Sequence, residues 1–422
     1  MANNTLLTIS KITNEALMVL ENELTFTSQV NREYDGQFAV VGAKIGNTVN
    51  VRRPARIVGS IGPTLNVEDF NETSIPVVLT TQFQTAVQFN TQDLALSMDM
   101  FSDRVIKPQV AAIANKIDSD GTLVAKNNTA NIVGVPGTAP NQLRTYLDAG
   151  AFLDSEGTPR DGKRAVIIEP FTSSAIVDNL KGLFMPEKTI SRQYEAGLMG
   201  RDSGGMDWKM DQNIIPHTFS SWAGATASTI STNTTNFTGS LAAGWAQNST
   251  ITLTAASGTL NFTQGDIIQI ANVFAVNPQS RRQYGTNKLR TFVINGTAAV
   301  TSAGVTVNVS PAIITGGQFQ NVVVTSTSTA AAVTPFSAGT SGTGTVSPQN
   351  ILMHRNAFTL AVADLVLPEG LAFAGRASDR EIGLSIRIIR DYTINNDALP
   401  TRFDVLYGWA PLYQEMACRI AS

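Results

Sequence analysis

From Gln212 to Gly265, and again from Thr291 to His354, the chain contains no Asp, Glu, Lys or Arg, although 30 Lys and Arg and 33 Asp and Glu are spread over its 422 residues. Positions 212–354 hold five charges, Asp266, Arg281, Arg282, Lys288 and Arg290, in 143 residues, against 58 in the other 279. A segment this long without charge cannot build the usual charged exterior of a soluble domain. It must cover itself with Ser, Thr and Asn, and it reads as a foreign module set into an ordinary globular chain. Inside it, Thr250–Thr254, Ile267–Ile270, Leu289–Ile294, Val305–Val309 and Val322–Thr325 are short β-rich runs separated by Gly, Asn, Ser and Pro. That spacing predicts a small barrel or sandwich. A hydroxyl-rich surface stays soluble and also lacks the repulsion that ordinarily separates copies.

The rest of the chain is compositionally ordinary. With 43% hydrophobic and 15% charged residues it has the apolar material for sizeable cores, and its length suggests two or three domains. A net charge of -3 argues against a protein whose main task is to coat nucleic acid. The single cysteine, Cys418, excludes an intrachain disulfide framework and reads as a buried structural thiol. The opening MANNTLLTISKITNEAL has no basic region and no continuous apolar core, so no secretory signal is expected, and no stretch approaches a membrane span.

Ile12, Ala16, Leu17, Leu20 and Leu24 recur at helical spacing opposite Lys11 and Glu15, predicting an amphipathic N-terminal helix. Alternation from Val49 to Val58, broken by Pro54, and again from Val77 to Phe89, predicts a long two-stranded arm with a Gly-rich, acidic tip. Ser102 or Asp103 is placed to cap the longest helix, which runs by Val110, Ile113, Ile117 and Val124 to Lys126. Ala165–Glu169 followed at once by Pro170 and an apolar helix suggests an α/β layer, while 192–210 reads as a loop. Ile382, Leu384, Ile386 and Ile388 alternate as a strand before a Tyr- and Trp-rich end.

Chemistry-bearing patterns are few. Only two histidines exist, His217 and His354, and both border the charge-poor module, where they would meet if its ends are close. A structural role at that junction outweighs catalysis or zinc binding. Asp118, Ser119, Asp120 and Gly121 imitate the start of a calcium loop, but the later ligands are missing. Gly339–Gly344 has the glycines of a phosphate-cradling loop without the following Lys, and a linker is the better reading. Arg281, Arg282, Lys288 and Arg290, with Tyr284 among them, are a weak nucleic-acid signal and more plausible as a loop that meets carboxylates on a partner subunit. No catalytic, cofactor-binding or metal residue is assigned.

Three segments agree with one family. Gly265–Ile294 (GDIIQIANVFAVNPQSRRQYGTNKLRTFVI), Lys163–Leu180 (KRAVIIEPFTSSAIVDNL) and Phe403–Ile420 (FDVLYGWAPLYQEMACRI) resemble the major capsid (coat) proteins of short-tailed phages of the Salmonella temperate type, in the same order along nearly the whole chain. The resemblance implies an α+β protein with the tailed-phage and herpesvirus major capsid fold. By position it implies an N-terminal arm (1–37), an extended β-hairpin loop (38–89), a peripheral domain with spine helix and the first part of the axial domain (90–210), an inserted all-β barrel domain (211–347), and the remainder of the axial and peripheral domains (348–422). It further implies a structural protein of the virion capsid, assembled in the host cytoplasm with a scaffolding protein into an icosahedral procapsid, which expands as double-stranded DNA enters through a portal protein. Its partners would be further copies of itself, in hexamers and pentamers. No membrane, cofactor or sequence-specific DNA contact is expected. Glu15, Glu21 and Glu23 of the N-terminal helix are candidate scaffold contacts.

Two other classes compete. A carbohydrate-binding or adhesive surface protein is suggested by the Thr/Ser/Asn-rich module with Trp222 and Trp245, and an enzyme with an inserted β domain is disfavoured by the shortage of histidine.

Overall fold

The computed structural model describes residues 24–32, 47–90, 107–180, 204–220, 230–233 and 244–422, apart from short gaps at 66, 69, 256–258, 286–287, 326–329, 337–343, 372, 380–383 and 396–397. The proposed N-terminal helix, with Glu15, Glu21 and Glu23, lies outside these residues, as do Ser102, Asp103 and Trp222. Two compact units form. One comprises Met1–Val51, Ile75–Gly121 and Phe358–Leu412, and the other Arg52–Ser74, Thr122–Ala357 and Tyr413–Ser422.

The first unit is organised by one long strand, Ala398–Pro411. It pairs antiparallel with Thr81–Asn90, Leu384–Arg390 and Phe358–Ala363, and Phe373–Asp379 adds to Leu384–Arg390. Phe403, Val405 and Tyr407 alternate inward along it and are buried, as a half-buried strand requires. This corrects the expected arm. The strands Thr48–Arg53 and Thr73–Val78 do pair with each other, and the first stops at Pro54, which has no amide to donate. The second half of the alternating run, however, is the separate strand Thr81–Asn90, with Phe83 opposite Val405 and Val87 opposite Thr401. Period-two alternation identifies a strand but not its neighbour, so one run was divided between two sheets.

Helix α1 (Lys107–Asn128) places Pro108 in its first turn and buries Val110, Ile113, Ala114 and Ile117 at the expected spacing. Asp118 is not part of a metal loop. Its carboxylate accepts the amides of Thr25 (2.8 Å), Phe26 (3.3 Å) and Thr27 (3.1 Å) and the Thr27 hydroxyl, which fastens the residues after the N-terminal segment to the helix. Phe26 is fully buried against Phe358 and Trp409. Gly121 makes room for that contact, because a Cβ there would lie 2.6 Å from the Trp409 ring and 2.8 Å from Phe26. Asp120 pairs with Lys116 and accepts the Tyr407 hydroxyl at 2.6 Å. Asp404, fully buried, takes Arg387 bidentately (2.9 and 2.6 Å) and also Arg402 and Gln82.

The second unit holds a mixed sheet in the order Ile132–Gly134, Ala417–Ala421, Val346–His354, Arg164–Ile168, Asp207–Met210, with Pro216–Thr218 beside the first half of Val346–His354. Asp207–Met210, expected as loop, is a parallel partner of Arg164–Ile168. Helices α2 (Leu143–Ser155) and α3 (Pro170–Leu180) contribute Tyr146, Ala149, Leu153 and Ile176 to a core with Val166, Ile168, Leu352, Cys418 and Ile420. Cys418 is buried, and that burial pushes its thiol pKa up, so it is an inert core residue.

In the charge-poor stretch the strands pair in a closed circuit. Leu289–Ile294, Val305–Ser310, Ser249–Thr254, Ile230–Asn233, Ala330–Pro335 and Ile267–Ala275 each bond to the next, and the last returns to the first, with Val322–Val324 added at Ile267–Ala275. The five runs read from the sequence are all strands. Ile230–Asn233, Leu260–Phe262, Ala298–Val300 and Ala330–Pro335 were not foreseen, since their Ala, Ser and Asn content has weak strand character. Ile251, Leu253, Phe262, Ile268, Ile270, Phe292 and Val309 fill the interior. Each such buried side chain contributes about 1.5–3 kcal/mol relative to exposure. No described helix is long and apolar enough to cross a membrane.

Replacing Gly121 with Ala should lower stability by about 1–3 kcal/mol, because the overpacking against Trp409 and Phe26 exceeds the gain in helix propensity. Chemical denaturation of G121A against wild type checks this.

Candidate functional site: buried charges at the ends of the charge-poor module

The module begins and ends on adjacent strands. His217 stands opposite Ser347 and Pro216 opposite Pro348, so the chain enters on Pro216–Thr218 and leaves on Val346–His354 side by side. The two histidines do not meet. His354 is seven residues further along, opposite Arg164, and its Nε2 lies 3.1 Å from Asp161.

His217 instead meets Asp266, the only acid between residues 212 and 354. The Asp266 carboxylate receives His217 Nε2 at 2.9 Å, the Thr263 amide at 2.7 Å, the Thr263 hydroxyl at 3.2 Å, the Ser220 amide at 3.3 Å and the Ser220 hydroxyl. Burial alone would raise the Asp266 pKa, but hydrogen bonds from His217, Ser220 and the Thr263 amide outweigh it and hold it below the ordinary value. Burial dominates at His217 and lowers its pKa in spite of Asp266, which leaves a neutral ring donating Nε2–H to a carboxylate. The ring also stands edge-on to Phe219, 4.7 Å between centroids. One residue away, Gly265 adopts φ +97°, and its carbonyl accepts Nη2 of the fully buried Arg419 at 2.8 Å. The segment's one carboxylate is thus satisfied by donors from His217, Ser220 and Thr263, beside the strand on which the chain enters.

A second cluster lies on the same unit. Arg290 is ion-paired to Glu156 at the end of α2, with side chains only 3% and 2% exposed. Burial would loosen the Arg290 proton, but Glu156 outweighs it and holds the pKa above the ordinary value. Arg53 pairs with Glu415 at 2.5 Å while its guanidinium lies over the rings of Tyr413 (4.6 Å) and Trp245 (5.0 Å). Arg56 approaches the same Glu415 at 3.7 Å. Burial would raise the Glu415 pKa, yet Arg53 and Arg56 bring it below the usual value.

These positions revise the expectation for the basic loop. Arg290 is not available to a partner subunit, because Glu156 of its own chain neutralises it in the interior. Lys288 is exposed with its ammonium 4.3 Å from the Phe152 ring centre, Arg282 is exposed, and Arg281 is half-buried in the left-handed region (φ +54°). Trp245 is half-buried, with the Arg53 guanidinium over its ring. Sequence reasoning found the scarce charges but missed Glu156, Glu415, Arg53 and Arg419, which lie in charge-rich surroundings where nothing marks one residue from its neighbours. No group of three His, Cys, Asp or Glu among the described residues forms a metal site.

The charged groups of this site hold the chain's own strands and loops to one another, the work of a structural protein. Residues 1–419 match the family model described as P22 coat protein, gene protein 5. The chain therefore belongs to the P22 coat protein family and is a bacteriophage major capsid protein, a structural protein of an icosahedral capsid. No curated protein matches it. Solved structures with a similar course include a chain of Mycobacterium phage Che8 (TM-score 0.46, 10% identity, 94% of this chain and 90% of that one). The capsid of Ralstonia phage GP4 (TM-score 0.46, 7% identity, 94% and 88%) and that of Cyanophage P-SCSP1u (TM-score 0.43, 9% identity, 89% and 83%) are others. At these values the family match carries the assignment.

Because the native Asp266 pKa lies below the unfolded value of about 3.9, its stabilisation is complete above that pH and drains away as pH falls through the native value. Asp266→Asn should cost about 3 kcal/mol at pH 7, and the deficit should shrink steadily below pH 4 when the two proteins are unfolded by urea across pH. Glu156→Gln should cost about 3–5 kcal/mol by stranding Arg290, whereas E156Q/R290M should recover much of that loss. A double-mutant cycle by denaturation reads the coupling.

Proposed function

We propose that this capsid protein assembles with a scaffolding protein into a procapsid of hexamers and pentamers, which expands as double-stranded DNA is packaged through a portal, as in phages of the Salmonella temperate type. The observation that carries this reading is the family match across 1–419. The closed circuit of strands between Ile230 and Pro335 supports taking 211–347 as the inserted β-barrel domain. The remaining parts are the arm (1–37), the extended loop (38–89) and the host domains on either side of the insertion (90–210 and 348–422). Assembly takes place in the host cytoplasm and the product resides in the virion.

Shell formation on this reading draws on many weak contacts per subunit, which add into a closed structure that no single contact would hold. Arg282 and Lys288, exposed on a module with only three other charges, are the cations offered to a neighbour's carboxylates, and Glu15, Glu21 and Glu23 are offered to a basic scaffold helix.

Velocity sedimentation and electron microscopy of the chain, expressed alone and with its scaffold, should reveal closed shells with scaffold present. A product that stays monomeric under every condition overturns the reading. Reversing Glu15, Glu21 and Glu23 to Lys should reduce scaffold incorporation, and unchanged co-assembly removes the scaffold assignment alone.

A further inference from the structure

Around the second cluster the charges do not balance. Arg53, Arg56 and Arg281 line one cleft of about 400 Å³ whose carboxylates are Glu156 and Glu415, and Arg290 lines a smaller neighbouring pocket that shares Arg53, Arg56, Glu156 and Glu415 with it. Glu156 is committed to Arg290 and Glu415 to Arg53. Arg56, whose side chain is 32% exposed, must share Glu415 at 3.7 Å, and Arg281 forms no ion pair there. Burial pushes the Arg56 pKa below its ordinary value, and Glu415 and Glu156 do not restore it against Arg53 and Arg290. Two guanidiniums are thus in excess in a place where water only partly solvates them.

Donors are also left over. The Nε atoms of Arg281 and of the almost fully buried Arg290 have no hydrogen-bond partner. Arg281 is held at the cleft by a turn in which its amide bonds the Asn277 carbonyl at 2.8 Å, while the Asn277 side chain takes the amides of Gln279 and Ser280. Its left-handed backbone is unfavourable for a side-chain-bearing residue, so the surrounding turn is what keeps it there.

We infer that this cleft binds one small divalent oxyanion, of the phosphate or sulfate class, between Arg56 and Arg281. The double charge matches the excess of two cations, and guanidinium forks suit tetrahedral oxyanions through paired N–H donors. The inference stands on the cleft alone and does not depend on how the shell assembles.

The test uses full-length purified subunits, wild type and R56Q/R281Q, titrated with sodium phosphate or with sodium chloride at matched ionic strength. Phosphate at about a hundredfold its dissociation constant should raise the wild-type Tm by about 3 °C over chloride. The double variant, whose substituted side chains are not fully buried, should lose most of that rise while keeping any general salt effect. Isothermal titration should give one phosphate per wild-type subunit and none for the variant. Equal responses to phosphate and chloride in the wild type, or an undiminished phosphate response in a variant with wild-type circular dichroism, overturns the inference.

Discussion

A charge removed from water must find its compensation inside the protein, and in this chain that rule decides how a nearly uncharged module is joined to the rest. The module carries one carboxylate. It is buried at the junction, where five hydrogen-bond contacts, one of them from a neutral histidine, hold it ionised. The module's one deeply buried arginine is likewise neutralised by a carboxylate at the end of α2. Without Glu156, which lies outside the module, Arg290 could be buried only at a severe desolvation cost. The junction is therefore specified by electrostatics as well as by apolar packing, and the Ser- and Thr-rich remainder carries only Arg281, Arg282 and Lys288.

The same logic recurs in the other unit on a smaller scale. The buried Asp118 carboxylate accepts three backbone amides, which turns a polar position of the helix into a dock for the residues following the N-terminal segment. Gly121, one turn on, supplies the space and Phe26 fills it. A run of residues that resembles half of a cation loop is in fact a capping device for another part of the chain.

Much of this was legible in the residues. Periodicity placed α1 and the strand Arg164–Ile168 with its following helix, and the charge census set the limits of the module to within a few residues of the paired strands Pro216–Thr218 and Val346–His354. What was not legible is pairing. Nothing in Thr81–Asn90 says that its partner is Ala398–Pro411 instead of the strand some thirty residues earlier, because alternation is the same for both. Nor does the sequence distinguish Glu156 from any other helical glutamate, or show that His217 would find Asp266 while His354 finds Asp161. Those choices are made by long-range topology, which local patterns do not encode.

The adjacency of entry and exit strands has a thermodynamic side. Holding His217 opposite Ser347 closes a loop of about 130 residues, an entropic cost that grows only as the logarithm of length and amounts to about 4 kcal/mol beyond a constant. Most of it is met once, by strands that the mixed sheet needs in any case. Doubling the enclosed segment would add about 0.6 kcal/mol, and shortening it would return as little. The enclosed segment is accordingly free to lengthen, shrink or be exchanged over evolutionary time, provided the chain still returns to the strand from which it departed.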